Sequence, residues 1–172
     1  MQPAPLKIRL YGDPILTKKS LPVKEIGPGE RLLIESMLYT MYLSKGIGLA
    51  APQVGIDQRI FVADIGEGPM AIINPKVIKK AGSKTMDEGC LSIPGVNVTI
   101  KRPKQITVSF TDINDQKHTV DLEDLLARVF LHETDHLDGK LILDYVSAKE
   151  KKELVQQFEE FLRKEINGRS GE

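Results

Sequence analysis

The chain has 172 residues, 41% hydrophobic and 28% charged, enough for one globular domain with its own core and too short for two. Lysine plus arginine and aspartate plus glutamate balance at 24 each, so the net charge asks for neither nucleic acid nor an anionic membrane as partner. No apolar run is long enough to cross a bilayer, the start Met1-Gln2-Pro3-Ala4-Pro5 is unlike a secretory signal, and a lone cysteine, Cys90, allows no intrachain disulfide; a reducing cytoplasm is the expected location.

Residues 6–26 hold the turn sequence Gly12-Asp13-Pro14 and read as an extended arm. After the breaker Gly27-Pro28-Gly29, the spacing of Leu32, Leu33, Met37 and Met41 predicts an amphipathic helix over Glu30–Leu43. The run Gly46-Ile47-Gly48-Leu49-Ala50-Ala51-Pro52-Gln53-Val54-Gly55 follows. Its glycines permit close backbone approach to a ligand, but the phosphate-loop patterns are absent, which argues against nucleotide binding. Gln53 stands out there as a side chain able to donate hydrogen bonds.

β-branched, apolar stretches predict strands at 59–65 and 70–78, joined by Gly66-Glu67-Gly68-Pro69, and further strands at 96–100, 105–111 and 117–122. Asn114-Asp115 makes the last two a hairpin. A helix follows in which Leu122, Leu125, Leu126, Val129, Phe130 and Leu137 recur at helical spacing, with Gly139 as its C-cap. Ser147-Ala148-Lys149-Glu150 is a capping-box sequence for a final helix with the stripe Leu154, Val155, Phe158, Phe161, Leu162. The tail, 166–172, is expected to fray. Strands in the middle and helices at both ends describe a single α+β domain over 1–172. Its mostly antiparallel sheets would pack around the central helix.

That central helix carries His132-Glu133-Thr134-Asp135-His136. Histidines four apart on a helix share a face and can reach one metal ion, and a glutamate beside the first can act as general base for a metal-activated water. A single histidine on an apolar face is usually a packed core residue. Here two of only three histidines fall at this spacing with the glutamate between them. Asp135 is either a carboxylate that orients a ligand or a surface charge.

Catalysis of this kind needs a third protein ligand and one open position. A third histidine in the metzincin position is ruled out, because Ile142 stands there. A downstream glutamate (Glu150, Glu153, Glu159 or Glu160) would make a thermolysin-like zinc metallopeptidase. Cys90, in the shaped loop Glu88-Gly89-Cys90-Leu91-Ser92-Ile93-Pro94, is a credible thiolate ligand, a nucleophile, or a small buried hydrophobe. His118, in a polar hairpin strand, reads as solvated.

The segments 46–53, 88–92 and 132–136, in that order, resemble the three motifs of the peptide deformylase family, and Gly12-Asp13-Pro14-Ile15-Leu16 is similar to its N-terminal arm. The likeness spans about Ile8 to Val146. It implies hydrolysis of the N-formyl group from N-formylmethionyl peptides of nascent proteins, releasing formate. The implied metal ligands are Cys90, His132 and His136, with water or hydroxide in the fourth place. The family's ion is usually ferrous iron (Fe2+), and Zn2+, Ni2+ or Co2+ can substitute. Glu133 is the implied general base and then acid, acting as the hydroxide attacks the formyl carbon. The Gln53 amide and the Leu91 N–H would bind the developing oxyanion.

Leu125, Arg128 and Val129 lie seven, four and three residues before His132 and share its helix face. With Ile47 they form the expected wall for the methionine side chain, Arg128 at the rim with its charge in water. The substrate backbone is expected to add as a strand at Ile47–Gly48 and Gly89. Arg102 is expected to neutralise Glu88 or Asp135. Some members of the family use a C-terminal helix at the ribosome. The chain departs from the family pattern at Leu131 (usually glutamine), Asp124 (often glycine) and Thr17 (often arginine), and Gly95-Val96-Asn97 lacks a basic residue found in some members.

Overall fold

The computed structural model describes residues 2–170. The elements are α1 (Pro28–Leu43), β1 (Gly48–Ala50), β2 (Ile60–Ala63), β3 (Met70–Ala81), β4 (Lys84–Gly89), β5 (Asn97–Arg102), β6 (Gln105–Thr111), β7 (Lys117–Glu123), α2 (Asp124–Leu137) and α3 (Ala148–Arg169). Short 3-10 turns lie at Pro14–Thr17, Ala51–Val54 and Ile142–Tyr145. The strands form a five-stranded sheet in the order β1-β2-β3-β6-β7 and a separate β4-β5 ribbon, with every strand pairing antiparallel. No helix is long and apolar enough to cross a membrane among the described residues.

Helix α2 lies against the large sheet because its apolar stripe has nowhere else to go. Ala127, Val129, Phe130, Leu131 and Leu137 join Phe61, Ile72, Ile106 and Val108 in one buried cluster. Phe130 meets Phe61 edge-on, with ring centroids 5.0 Å apart. The helix stops at Gly139, whose φ of +73° suits glycine; a Cβ there would also stand 2.6 Å from the carbonyl oxygen of Thr17. Helix α1 opens as the breaker predicts: Pro28 occupies the first turn and Glu30 accepts the Gly27 N–H at 3.0 Å. Its buried Ile34, Met37 and Met41 pack on Leu49, Ile60 and Val62 of the same sheet.

The α+β layout, the central helix and both terminal helices agree with the sequence reading, whereas two strands were not foreseen. β1 is three residues inside the glycine-rich run, and β4, Lys-Thr-Met-Asp-Glu-Gly, carries no apolar alternation. β4 is ordered by its ladder to β5, from Lys84↔Arg102 to Gly89↔Asn97. Helix α3 is capped by Ser147, whose Oγ accepts the Glu150 N–H at 3.2 Å, and it buries Phe158 against Leu16, Ile93 and Val96. It runs to Arg169, past residue 166 where fraying was expected, with Ser170 Oγ donating to Ile166 O at 3.0 Å. Gly171 and Glu172 lie outside the described residues.

Candidate metal centre and active site

The end of β4 delivers Cys90, and α2 delivers His132, Glu133 and His136 to the same point. Cys90 Sγ lies 3.3 Å from His136 Nε2, and one donor atom from each of Cys90, His132 and His136 falls within 4.8 Å of the other two. The downstream glutamates of α3 do not join this group; Glu150, Glu153, Glu159 and Glu160 are exposed. Among the described residues it is Cys90, and not a downstream glutamate, that stands beside the two histidines.

The imidazoles are held by charge. His132 Nδ1 donates to Glu88 Oε1 at 2.8 Å. Burial alone would raise the Glu88 carboxyl, but hydrogen bonds from His132 and Arg102 and the Arg102 charge hold it down at about 2. An ionised carboxylate only accepts, so the proton sits on Nδ1 and leaves Nε2 free on the Cys90 side. Burial works against protonating His132, yet its contacts with Cys90 and Glu88 and the charge of Glu133 raise it well above the ordinary imidazole value. His136 is pushed well below that value, first by burial and then by His132. When charged, His132 carries a second proton on Nε2, and that proton is the one a metal ion would displace on binding.

Arg102 is 4% exposed and lies at the hub of the supporting network. Its Nε and Nη2 donate to Glu88 at 2.7 and 2.9 Å, and its Nη1 donates to Asp135 Oδ2 at 2.8 Å. Tyr145 OH also donates to Asp135 Oδ2, at 2.5 Å. Arg102 thus serves both of the carboxylates between which the sequence left a choice, and Asp135 belongs to the site's support rather than to the surface.

Glu133 is 4% exposed, and burial raises its carboxyl to about 7. Its Oε2 is buried without a hydrogen-bond partner in the protein. Nearby, the 3-10 turn at Ala51–Val54 places Gln53 by having its Oε1 accept the Ala50 N–H at 2.9 Å. Gln53 Nε2 is left to face Ser92 Oγ at 3.1 Å and Cys90 Sγ at 3.6 Å. A thiolate with two imidazoles is a borderline-soft donor set suited to Zn2+ or Fe2+, and the unpartnered Glu133 oxygen calls for a polar group beside it. The residues fit a catalytic metal ion.

The centre opens into a cavity of about 430 Å³ that Ile47, Gly48, Gly89, Leu125, Arg128 and Val129 all line, with Gln53, Cys90, Leu91, His132 and Glu133 at its depth. His136 is not part of the lining and is buried behind it. β1 is an edge strand of the large sheet, and β4 pairs only with β5. Each leaves one edge unpaired.

The family model described as polypeptide deformylase matches residues 5–152. The chain belongs to the peptide deformylase family. A peptide deformylase of Chlorobaculum parvum is 42% identical over 156 residues, covering 87% of this chain and 83% of its own. The crystal structure of a Legionella pneumophila peptide deformylase superposes with a TM-score of 0.91 at 35% identity over 95% of this chain and 98% of its own. That of the Thermotoga maritima enzyme gives 0.82 at 45% identity over 84% and 99%. As a peptide deformylase, this chain is a hydrolase that acts on the formyl amide of N-formylmethionyl peptides.

Three positions read from the sequence as departures from the family pattern have a local account. Asp124 has φ +53°, a conformation glycine adopts without strain. Leu131 is 7% exposed and packs in the α2–sheet cluster, on a different side of the helix from His132. Thr17 caps its own turn, its Oγ1 donating to Pro14 O at 3.1 Å.

Arg128 requires a correction. Its stem lines the cavity as expected, but its charge is not in water: it is 5% exposed and its guanidinium lies on Glu88. Its Nη1 lies 2.5 Å from Glu88 Oε2, inside the protein. Sequence reasoning named Arg102 and Asp135 as supports, but missed Glu88 as the partner of His132 and Tyr145 as the partner of Asp135. Glu88 offered one signal, its place two residues before Cys90. Tyr145 offered none.

Proposed function

We propose that the chain deformylates N-formylmethionyl peptides at the Cys90–His132–His136 centre, with Glu133 as the proton carrier. The observation that supports this most directly is the buried, unpartnered Oε2 of Glu133 beside three convergent donor atoms at the base of an open cavity. A divalent ion held there, with Fe2+ as the resident and Zn2+, Ni2+ or Co2+ as substitutes, would supply a water of lowered pKa and a Lewis acid for the carbonyl.

The protein's own groups do the rest. Glu133, tuned by burial to about 7, can take a proton near neutral pH and return it to the leaving amine. The Gln53 amide and the Leu91 N–H act as donors where negative charge develops on the formyl oxygen, which lowers the barrier rather than only tightening binding. Ile47, Leu125, Val129 and the stem of Arg128 give the methionine side chain an apolar wall. The unpaired edges at Gly48 and Gly89 give the peptide backbone two strands to join. A formyl carbon carries hydrogen where other acyl groups carry carbon, so a close-fitting site excludes acetyl and ordinary peptide carbonyls. A free thiolate ligand suits a reducing cytoplasm. The exposed Lys149, Lys152, Arg163 and Lys164 of α3 offer the charge that a ribosomal contact would use.

The test is formate release from formyl-Met-Ala-Ser by anaerobically iron-loaded protein, with acetyl-Met-Ala-Ser as control. Formate from the first and no turnover of the second is expected. Equal turnover of both would overturn the reading.

A further inference from the structure

Glu88 is saturated. Its Oε1 accepts from His132 Nδ1 at 2.8 Å and Arg102 Nη2 at 2.9 Å, and its Oε2 accepts from Arg102 Nε at 2.7 Å and Arg128 Nη1 at 2.5 Å. All of the carboxylate's acceptor sites are thereby filled, which leaves it no freedom to turn. Arg128 does more than fill one of them. Its Nη1 also donates to Ile100 O at 3.0 Å and its Nη2 to Lys84 O at 2.5 Å. Those carbonyls belong to β5 and β4, the ribbon that ends at Cys90. Arg128 itself stands on α2, four residues before His132.

We infer that Arg128 is a positioning residue for the metal centre: its guanidinium ties the β4–β5 ribbon that bears Cys90 to the helix that bears both histidines, and stops the Glu88 carboxylate from swinging off His132. This rests on the proposed ligand role of Cys90, His132 and His136. Arg102 alone does not supply the clamp. It leaves from the ribbon, and its other partners, Asp135 and Tyr145, lie toward the far end of α2. Among the described residues, only Arg128 spans from the start of the helix to the carbonyls of both ribbon strands. The same side chain lines the cavity, so the wall beside the substrate and the ligand triangle are set by one clamp. The planar fork is suited to this, since it meets a carboxylate and two carbonyls from two nitrogens fixed in one plane, which the single nitrogen of an ammonium does not provide.

Simple electrostatics makes the opposite prediction. Removing a cation from the neighbourhood of a divalent ion strengthens ion binding, whereas removing a clamp weakens it. Co2+ titration of the reduced, metal-free full-length protein separates the two, with chelator competition for affinity and the thiolate-to-cobalt absorption band for ligand geometry. Arg128→Met is expected to weaken Co2+ binding about 10-fold or more and to shift the band, while far-UV circular dichroism remains that of the wild type. Arg128→Lys, which keeps the charge but not the fork, is expected to fall between. Unchanged or tighter Co2+ binding with an unshifted band in Arg128→Met would overturn the inference. If Arg128→Met does not fold, Arg128→Lys decides: weakened binding supports the clamp, and wild-type affinity and band overturn it. A wild-type protein that binds Co2+ without a thiolate band would instead remove the ligand assignment on which the inference stands.

Discussion

The backbone of Gly48 presses directly on the carboxylate of Glu133: a Cβ at that position would stand 2.5 Å from Oε1 and 3.0 Å from Cδ. The edge strand and the proposed proton carrier are therefore packed as a unit. Gly48→Ala must displace Glu133, and a displacement near 1 Å at a reacting group is enough to lower kcat about 100-fold. Metal content should not change, because the three atoms nearest such a Cβ all belong to Glu133 and none to a proposed ligand. Steady-state kinetics with metal analysis checks this; an unchanged kcat would show that Glu133 is not held where it acts.

Burial of Glu133 also predicts how the metal-free protein responds to pH. Burial pushes its carboxyl up to about 7 in the fold, from the 4.5 of a solvated glutamate. Between those pH values the folded state holds a proton that the unfolded chain has lost, so this stabilisation is complete below pH 4.5 and disappears as pH rises through 7. The shift corresponds to about 3 kcal/mol. Glu133→Gln cannot titrate, and it should be about 3 kcal/mol more stable than the wild type at pH 8 yet similar at pH 4.5, measured by urea unfolding of reduced apoprotein. Deformylase activity of the same variant should fall by about 100-fold or more. A stability difference between wild type and variant that does not vary with pH would refute the burial argument.

What the sequence revealed and what it hid divide along the range of the interactions. The 105–111 and 117–122 hairpin, the stripe of α2 and the His-Glu-x-x-His face are periodic or local, and they lie where expected, as β6, β7 and α2. β4 was hidden because its inward residue is Glu88, a charge whose burial depends on partners 14, 40 and 44 residues away. A strand that points a carboxylate into the protein carries no hydrophobic alternation to detect. Arg128 was placed correctly on its helix face but misjudged in where its head goes, for the same reason. The choice between Cys90 and a downstream glutamate was likewise open on local grounds. The resemblance pointed to Cys90, and the meeting of the ribbon with α2 brings its thiol to the two histidines.

The network behind His132 should respond in proportion to what each member contacts. Arg102 meets Glu88 twice and Asp135 once. Arg102→Ala leaves Asp135 without its cation and Glu88 with His132 and Arg128 alone, and should cost about 3–5 kcal/mol with loss of bound metal. Tyr145→Phe removes one hydrogen bond to Asp135 and should cost about 1 kcal/mol with metal retained. Chemical denaturation and metal content of both variants check the ordering. Full metal content and activity in Arg102→Ala would mean that the network is not needed to hold His132.

Asp124 sets the conformation at the start of α2. Its φ of +53° lies in the left-handed region, and its N–H donates to Lys104 O at 2.9 Å, so the backbone is held there from outside the helix. An aspartate bears this strain better than most residues, and glycine bears it without cost. Against that, glycine gives the unfolded chain more freedom, and Asp124 loses its ion pair with Lys84, in which both side chains are 47% exposed. A pair so exposed contributes at most about 1 kcal/mol. Asp124→Gly should therefore lie within about 1 kcal/mol of the wild type, with unaltered kcat. Asp124→Val, β-branched at positive φ, should destabilise by more than about 1 kcal/mol. Thermal unfolding of the two variants side by side decides it: a valine tolerated as well as glycine would mean that the helix start relaxes to an ordinary conformation and that nothing fixes Asp124 in the left-handed one.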